Sequence, residues 1–442
     1  AFFESALSFS PFVTNLIWFT QATSNDINRL LANGRGKLPS NVLGADFDFK
    51  TLIRLLFLQK PPFRTRSGYV FDSNYESRNV ADFHRALMLF SRSKKQMGEL
   101  TRRRIERLTA QSLSGRLLID SKGKLSIYRG RAGTGKTVRL IQTAIKLVDE
   151  EQVRVLILTY NRALVSDIRR LFALVELPDM FEENCVTINT MQSFFFQLAN
   201  NLLYDGRMLG DEFLEKYDSI LREMNVFLSD DDAIGLAKES MAADQILDWD
   251  YVLIDEAQDW KASERDVILK LFEKGKTIIA DGGNQFVRRG QMCDWATIRD
   301  RNNIKLKYCL RQKENIVSFL NEYTQHVDMP SEKIISNGKM PGGKIIIISD
   351  NMLFDVHKRE MDSLIRCGNI AYDMLYFVPH SLVKRSNGES QFALIREFER
   401  HNVFFWDGTN SSNRGNYSTA SDEVRVLQYD SARGLEGWTV VC

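Results

Sequence analysis

The stretch LSIYRGRAGTGKTVRL, residues 125–140, decides the fold. A short apolar run, Leu125 to Tyr128, leads to Gly130, four further residues, and then Gly135, Lys136 and Thr137. The pattern G-x-x-x-x-G-K-[ST] between a strand and a helix predicts a phosphate-binding loop. Val138, Ile141, Ala144, Ile145 and Val148 give the following segment an apolar stripe at the helical period. Gly130, Gly133 and Gly135 let backbone N–H groups curl around phosphate oxygens at a helix N-terminus, whose dipole favours anions. Lys136 then neutralises β- and γ-phosphate charge, and Thr137 is placed to hold Mg²⁺. A chance glycine-rich turn is the competing reading, and the flanking strand and helix argue against it.

Outward from this loop, β-rich apolar runs alternate with helical patterns: LSIY, RVLILTY, VTIN, YVLIDE and TIIAD, then IKLKY, KIIIIS, MLYFVP, VFFW and VRVLQYD. Apolar runs separated by helices are what a parallel sheet covered on both faces requires. The fold class is therefore α/β, with two sheets expected in tandem. A polar, mostly helical segment at about 199–248 reads as an insertion. The run YVLIDEAQDW ends in Asp255 and Glu256, at the carboxyl edge where sheet ligands gather. Asp255 suits Mg²⁺ binding, and Glu256 suits a base that orients water. An acidic turn after a strand is common by itself, but paired with the phosphate loop it predicts hydrolysis.

Composition bounds the partners. The 442 residues carry 59 Lys and Arg against 57 Asp and Glu, a net charge of +2, so nucleic acid would be held by local patches. The 5 cysteines show no CxxC or Cys/His spacing, which argues against a disulfide framework or a zinc site and fits a reducing, cytoplasmic setting. No uninterrupted membrane-length apolar run is present, so no membrane partner is expected. The sequence begins without Met and stops at GWTVVC within a strand-like run, which reads as processed, trimmed or incomplete.

GRAGTGKT together with DEAQD resembles the superfamily 1 DNA helicases of the UvrD/Rep type, and further pieces follow in that family's order. LTYNRAL, with Thr159, Tyr160, Asn161 and Arg162, is similar to the segment that touches single-stranded DNA. NTMQSF resembles T-F-H-S-L, with Thr190 matching its Thr and Gln192 standing where His is usual. Asp281 and Gln285 resemble the element that couples γ-phosphate to DNA. Arg311 in LKYCLRQKENI matches the arginine that reaches the γ-phosphate from the second lobe. YDSARGLEGWTVV looks like H-x-A-K-G-L-E-x-x-x-V, with Gly434 and Glu436 in place and Arg433 replacing Lys.

The resemblance spans roughly residues 105–442 and implies tandem RecA-like P-loop domains. It divides the chain into an N-terminal accessory region (1–115), a first ATPase domain (116–300) and a second (301–442), in which the family's last arginine element does not follow WTVVC; the expectation is either a chain cut short or a final arginine supplied from elsewhere. It implies ATP and Mg²⁺ as cofactors, single-stranded or partly duplex DNA as partner, and 3′-to-5′ travel. Departures follow. Leu310 stands where an adenine-stacking Tyr is usual, with Tyr308 as a substitute. One extra residue separates Asp281 from Gln285, and FVRRG replaces stacking aromatics, leaving Phe286 or Trp295 to stack bases, or Arg288 and Arg289 to grip the strand. For each aromatic, core packing is the alternative. Gln111 is a candidate adenine reader, farther from Lys136 than is usual. Too little chain separates Arg311 from SARGLE for the large accessory domain of longer relatives.

The N-terminal quarter lies outside the resemblance. SRSKKQMGELTRRRIERL carries Arg92, Lys94, Lys95, Arg102, Arg103, Arg104 and Arg107, either a phosphate-touching face or a solvated one. GADFDFK places Asp46, Asp48 and Lys50 in a superficial match to the (D/E)-x-K site of nucleases. Three functions follow: an ATP-driven DNA translocase or helicase, a DNA-sensing ATPase subunit that licenses a partner such as a nuclease, and a nuclease-helicase fusion.

Overall fold

The computed structural model describes residues 17–18, 21–27, 42–46, 97–109 and most of 123–442, with 283–292 the longest stretch of that last range outside the description. The chain forms a smaller unit, Phe3–Phe90, and a larger one holding Ser91–Cys442. In the smaller unit β1 (Ile17–Trp18) pairs in parallel with β2 (Val42–Leu43). Asp46 accepts from the Ser24 backbone N–H at 2.6 Å and from its hydroxyl at 2.9 Å, a turn-fixing role. Asp48 and Lys50 lie outside the described residues, as do Arg92, Lys94 and Lys95.

In the larger unit β3 (Leu125–Gly130), β4 (Arg154–Thr159), β5 (Cys185–Thr190), β6 (Tyr251–Ile254), β7 (Thr277–Asp281) and β8 (Arg301–Leu306) build a parallel six-stranded sheet in the order β5-β4-β6-β7-β3-β8. Alternate residues of these strands bury on opposite faces. Leu125, Ile127, Leu156, Leu158 and Val252 join one core, while Tyr128, Val155, Ile157, Leu253 and Ile278 join the other. Each fully buried aliphatic side chain contributes about 1.5–3 kcal/mol, so neither face of the sheet tolerates a register slip. This six-stranded arrangement is compatible with a RecA-like domain. Ile304 to Leu306 of IKLKY close β8, so most of that run belongs to the first sheet rather than to the second set of runs, while Tyr308 begins the next strand.

Helix α1 (Glu99–Thr109) precedes the sheet; α2 (Lys136–Glu151) and α3 (Arg162–Leu174) cover one face, α4 (Met191–Leu202) the other. Between α4 and β6 lie α5 (Gly210–Glu215), α6 (Tyr217–Phe227) and α7 (Asp231–Ala242). Their Phe213, Tyr217, Ile220 and Met241 enter the same core as Leu125, and Tyr217 donates to the fully buried Glu264 on α8 (Ala262–Leu271) at 2.8 Å. The polar segment thus buries an apolar stripe against the sheet.

Past β8, β9 (Tyr308–Cys309) pairs with β10 (Ile335–Ser336) around α9 (Glu314–His326). After α10 (Leu353–Arg366), a second parallel sheet follows, made of β11 (Met374–Val378), β14 (Phe405–Asp407), β15 (Val424–Gln428) and β16 (Thr439–Val441) in the order β14-β15-β11-β16. The hairpin of β12 (Lys384–Ser386) and β13 (Glu389–Gln391) and helix α11 (Ala393–Arg400) lie between β11 and β14. KIIIIS does not form the expected strand. Ile345–Ile348 are irregular and exposed, Ile347 at 89%. Their β-propensity finds no ladder among the described strands, and β-propensity without a pleated neighbour does not make a strand.

Leu375, Leu427 and Leu435 of the second sheet's side pack into the core formed by α2 and α3. Beside them sits a buried ionic cluster. Asp167 on α3 bonds Arg104 of α1 at 2.5 Å, approaches Arg425 of β15 at 3.5 Å, and accepts from the Tyr372 hydroxyl at 3.2 Å. Tyr372 is itself sandwiched by Arg170 and Arg425, each guanidinium 4.0 Å from the ring centre. Burial pushes the Asp167 carboxyl up, but Arg104 outweighs it and holds it at about 2. Its stabilising contribution is therefore complete above the ordinary value of 3.8 and is lost as pH falls through about 2. Asp167→Ala leaves buried guanidinium groups without their carboxylate and is expected to cost about 3–5 kcal/mol in chemical denaturation.

Candidate nucleotide site

The phosphate loop runs from the end of β3 into α2. Gly133 and Gly135 hold φ of +77° and +86°, conformations that admit side chains only under strain. A Cβ on Gly133 would lie 2.8 Å from the Cys309 sulfur, and one on Gly130 would lie 2.6 Å from the Thr134 hydroxyl. Both positions thus fit glycine alone. The Lys136 ammonium donates to the Gly130 carbonyl at 2.8 Å and the Arg131 carbonyl at 3.1 Å, in the hollow of the loop. Burial lowers its pKa, with Arg433 and Arg311 adding to the effect and Glu256 and Asp255 opposing it.

The acidic turn sits against this loop. The Thr137 hydroxyl donates to Asp255 Oδ2 at 2.8 Å, and Asp255 is completely buried at the end of β6. Hard oxygen donors on a buried carboxylate and a hydroxyl suit Mg²⁺, which takes few protein ligands beside phosphate oxygens. The glycine cradle and the ammonium inside it suit a phosphate chain, so the residues present fit both groups. Among the described residues no cluster of three or more His, Cys, Asp or Glu fits a metal by itself.

Burial pushes the Asp255 carboxyl up to about 6, with the Glu256 charge adding to it and Thr137 and Lys136 opposing. A raised pKa stabilises the fold below the ordinary 3.8, and that advantage disappears as pH rises through about 6. At neutral pH the ion-free protein holds a buried charge against its fold. Asp255→Asn is therefore expected to raise the nucleotide-free melting temperature by a few degrees, about 1–2 kcal/mol, in scanning calorimetry.

Glu256 adopts φ +51°, an unusual left-handed conformation for a non-glycine residue. Its carboxylate accepts from Gln258 Nε2 at 2.7 Å and from an Arg433 guanidinium nitrogen at 3.1 Å. Burial raises the Glu256 pKa, but Arg433 and Lys136 overcome this and leave it low. Gln258 also accepts from the Gly282 N–H at 2.7 Å, which joins the acidic turn to the end of β7. Asp281 there receives Arg129 at 2.7 Å.

Arg311 enters from the far side. The Leu310 N–H donates to the Gly133 carbonyl at 2.7 Å, so the segment after β9 rests directly on the phosphate loop. The Arg311 guanidinium donates to Glu436 at 3.0 Å and to the Gly434 and Leu435 carbonyls at 3.2 and 3.4 Å. Glu436 also receives Arg107 at 3.0 Å. Lys136, Glu256, Leu310, Arg311, Arg433 and Gly434 line one cleft of about 190 Å³.

The residues expected to touch nucleic acid behave differently from one another. Thr159 is completely buried at the end of β4 and presents no surface to a strand, a correction to its expected role. Asn161 caps α3 through its carbonyl oxygen and donates its amide to the Ser431 and Arg433 carbonyls at 3.0 and 2.7 Å. Thr190 caps α4 by accepting from the Ser193 N–H, and only its edge is exposed. Tyr160 and Gln192 are half-buried, and Arg162 is exposed. Trp295 is not available for stacking. It is 1% exposed, edge-to-face with Trp260, and donates to the Ala257 carbonyl at 2.8 Å. Gln111, Gln285, Phe286, Arg288 and Arg289 lie outside the described residues.

Sequence reading missed two participants, Gln258 and Asp259, and named Arg107 and Arg433 without bringing them to this site. Gln258 and Asp259 stood in the quoted DEAQD, at the offsets that a turn after a strand folds back toward the site. Arg107 was hidden in a basic run whose members split, with Arg104 and Arg107 turned inward and Arg102 and Arg103 outward.

No family profile matches this sequence, and no curated protein does. Among solved structures, the chain is similar to one titled "The structure of PRRSV helicase", at 11% identity and a TM-score of 0.29, over 72% of this chain. This chain spans 55% of the length of that one. Among the described residues no helix is long and apolar enough to cross a membrane.

Proposed function

We propose that this chain is an ATP-dependent DNA translocase or helicase of the UvrD/Rep type, built from tandem RecA-like domains. The observation that carries the reading is the shared cleft. Thr137 bonded to Asp255, with Glu256 beside them, faces Arg433 from the loop between β15 and β16 of the second sheet and Arg311 from the segment after β9. A hydrolytic site divided between two packed sheets couples nucleotide state to their relative position, which is how bound nucleotide does mechanical work.

In this reading Lys136 would leave the loop carbonyls for β- and γ-phosphate oxygens, and Thr137 and Asp255 would hold Mg²⁺. Bound Mg²⁺ would supply charge neutralisation across those phosphates. Glu256, kept ionised by its cationic neighbours, orients water and accepts its proton. Arg311 leaves Glu436 for charge developing on the γ-phosphate. Asn161 ties the strand-contacting segment after β4 to the loop carrying Arg433, which supports coupling of strand contact to the site.

A second reading is a DNA-sensing ATPase subunit that licenses a partner such as a nuclease; it draws on Trp295, a candidate base-stacking ring, being buried edge-to-face against Trp260. Strand-displacement assays separate the two. Turnover accompanied by duplex opening supports the motor, and turnover without it supports the sensor. Absence of both ATP turnover and nucleotide-dependent DNA binding would exclude either.

A further inference from the structure

Resting on the nucleotide-hydrolysing reading, we propose that Arg433 is a second γ-phosphate-binding arginine, held away from the phosphate by Glu256 and Asp259 until a triphosphate arrives. Its guanidinium lies 3.1 Å from Glu256 and donates to Asp259, while lining the same cleft as Lys136, Thr137 and Arg311. The side chain is 18% exposed, so its charge acts through a poorly screened environment.

Two features make this arginine able to move. The loop that carries it is anchored without its side chain: Asn161 binds the Ser431 and Arg433 carbonyls, and Arg311 binds those of Gly434 and Leu435. Both anions that hold it belong to the acidic turn, immediately beside the phosphate loop. A terminal phosphate carries more charge than either carboxylate and offers fork-shaped acceptors, for which a guanidinium is suited. Arg311, by contrast, has its nitrogens engaged by Glu436 and two carbonyls. Transfer of Arg433 to the phosphate also removes one of the two donors on Glu256 Oε2, leaving Gln258 Nε2 as the other and a lone-pair direction for water. The resting contact is then a latch: while Arg433 and Gln258 both donate to Glu256 Oε2, that oxygen is crowded by two donors.

The proposal separates triphosphate from diphosphate recognition, which binding reads without turnover. With the full chain and Mg²⁺, equilibrium affinities for ADP and for a non-hydrolysable ATP analogue are measured in wild type, Arg433→Gln, Arg433→Lys and Asp259→Asn. Arg433→Gln is expected to weaken the analogue about tenfold and ADP less than about twofold, the scale of one lost charge-assisted contact. Arg433→Lys should lie between, and Asp259→Asn, with one latch removed, should tighten the analogue alone. Equal weakening of both nucleotides in Arg433→Gln and Arg433→Lys would assign a structural role and overturn the proposal. So would affinities unchanged in both. A wild type that binds neither nucleotide would overturn the underlying functional reading and this proposal with it, whereas a discriminating wild type with unaltered variants overturns this one alone.

Discussion

Glu256→Gln is expected to lower ATP turnover by about 10²–10⁴-fold, the usual contribution of a positioned general base, while leaving nucleotide binding nearly intact. The substitution keeps the shape and can still bond to Gln258, but it removes the negative charge and the proton acceptor. It also deprives Arg433 of one anionic partner, leaving Asp259 as the other. Binding of a non-hydrolysable analogue should therefore hold or improve while turnover disappears. The two effects separate in steady-state kinetics combined with equilibrium titration. A variant retaining wild-type turnover would remove Glu256 from the reaction.

Arg311→Ala is expected to produce the second large loss, about 10³-fold or more in turnover, as for arginines that neutralise transferring phosphoryl charge. In the structure this guanidinium is held by Glu436 and two backbone carbonyls, so its part depends on movement when nucleotide binds. Glu436 keeps Arg107 at 3.0 Å and Arg104 at 3.9 Å in the variant, which limits the cost to stability. Arg311→Lys should rescue little, because a point charge cannot reproduce a forked donor. Single-turnover measurements at saturating ATP isolate this loss from any change in affinity. Full rescue by lysine would assign Arg311 a general electrostatic effect instead of directed bonding.

The parts of the site written in local sequence were readable in advance. The glycine spacing before Lys136 dictates its own backbone, and an apolar strand ending in Asp255 and Glu256 places both carboxylates at a sheet edge whatever the rest of the chain does. Parallel pairing was legible for the same reason, since doubly buried strands carry their burial in their composition. What depended on tertiary partners was not. Arg104 and Arg107 resemble their neighbours in the same basic run, and only the packing of α1 against α2 and α3 turns them inward. Thr159 lies at a strand end where a one-residue difference decides between surface and interior, and Trp295 carries no local mark that separates a base-stacking ring from a core ring. The four isoleucines at 345–348 show the converse, a strong strand signal without a ladder to join. Arg433 was noticed as a departure from lysine, but its meeting with Glu256 and Asp259 joins positions more than 170 residues apart in sequence.

The central claim is that one cleft couples ATP hydrolysis to a nucleic-acid strand. Its most direct test is ATP turnover by the full chain with Mg²⁺, titrated with a single-stranded DNA oligonucleotide alongside Glu256→Gln. The expected result is turnover that rises and saturates with DNA in the wild type and is abolished in the variant. Turnover indifferent to DNA, or equal in the two proteins, would contradict it.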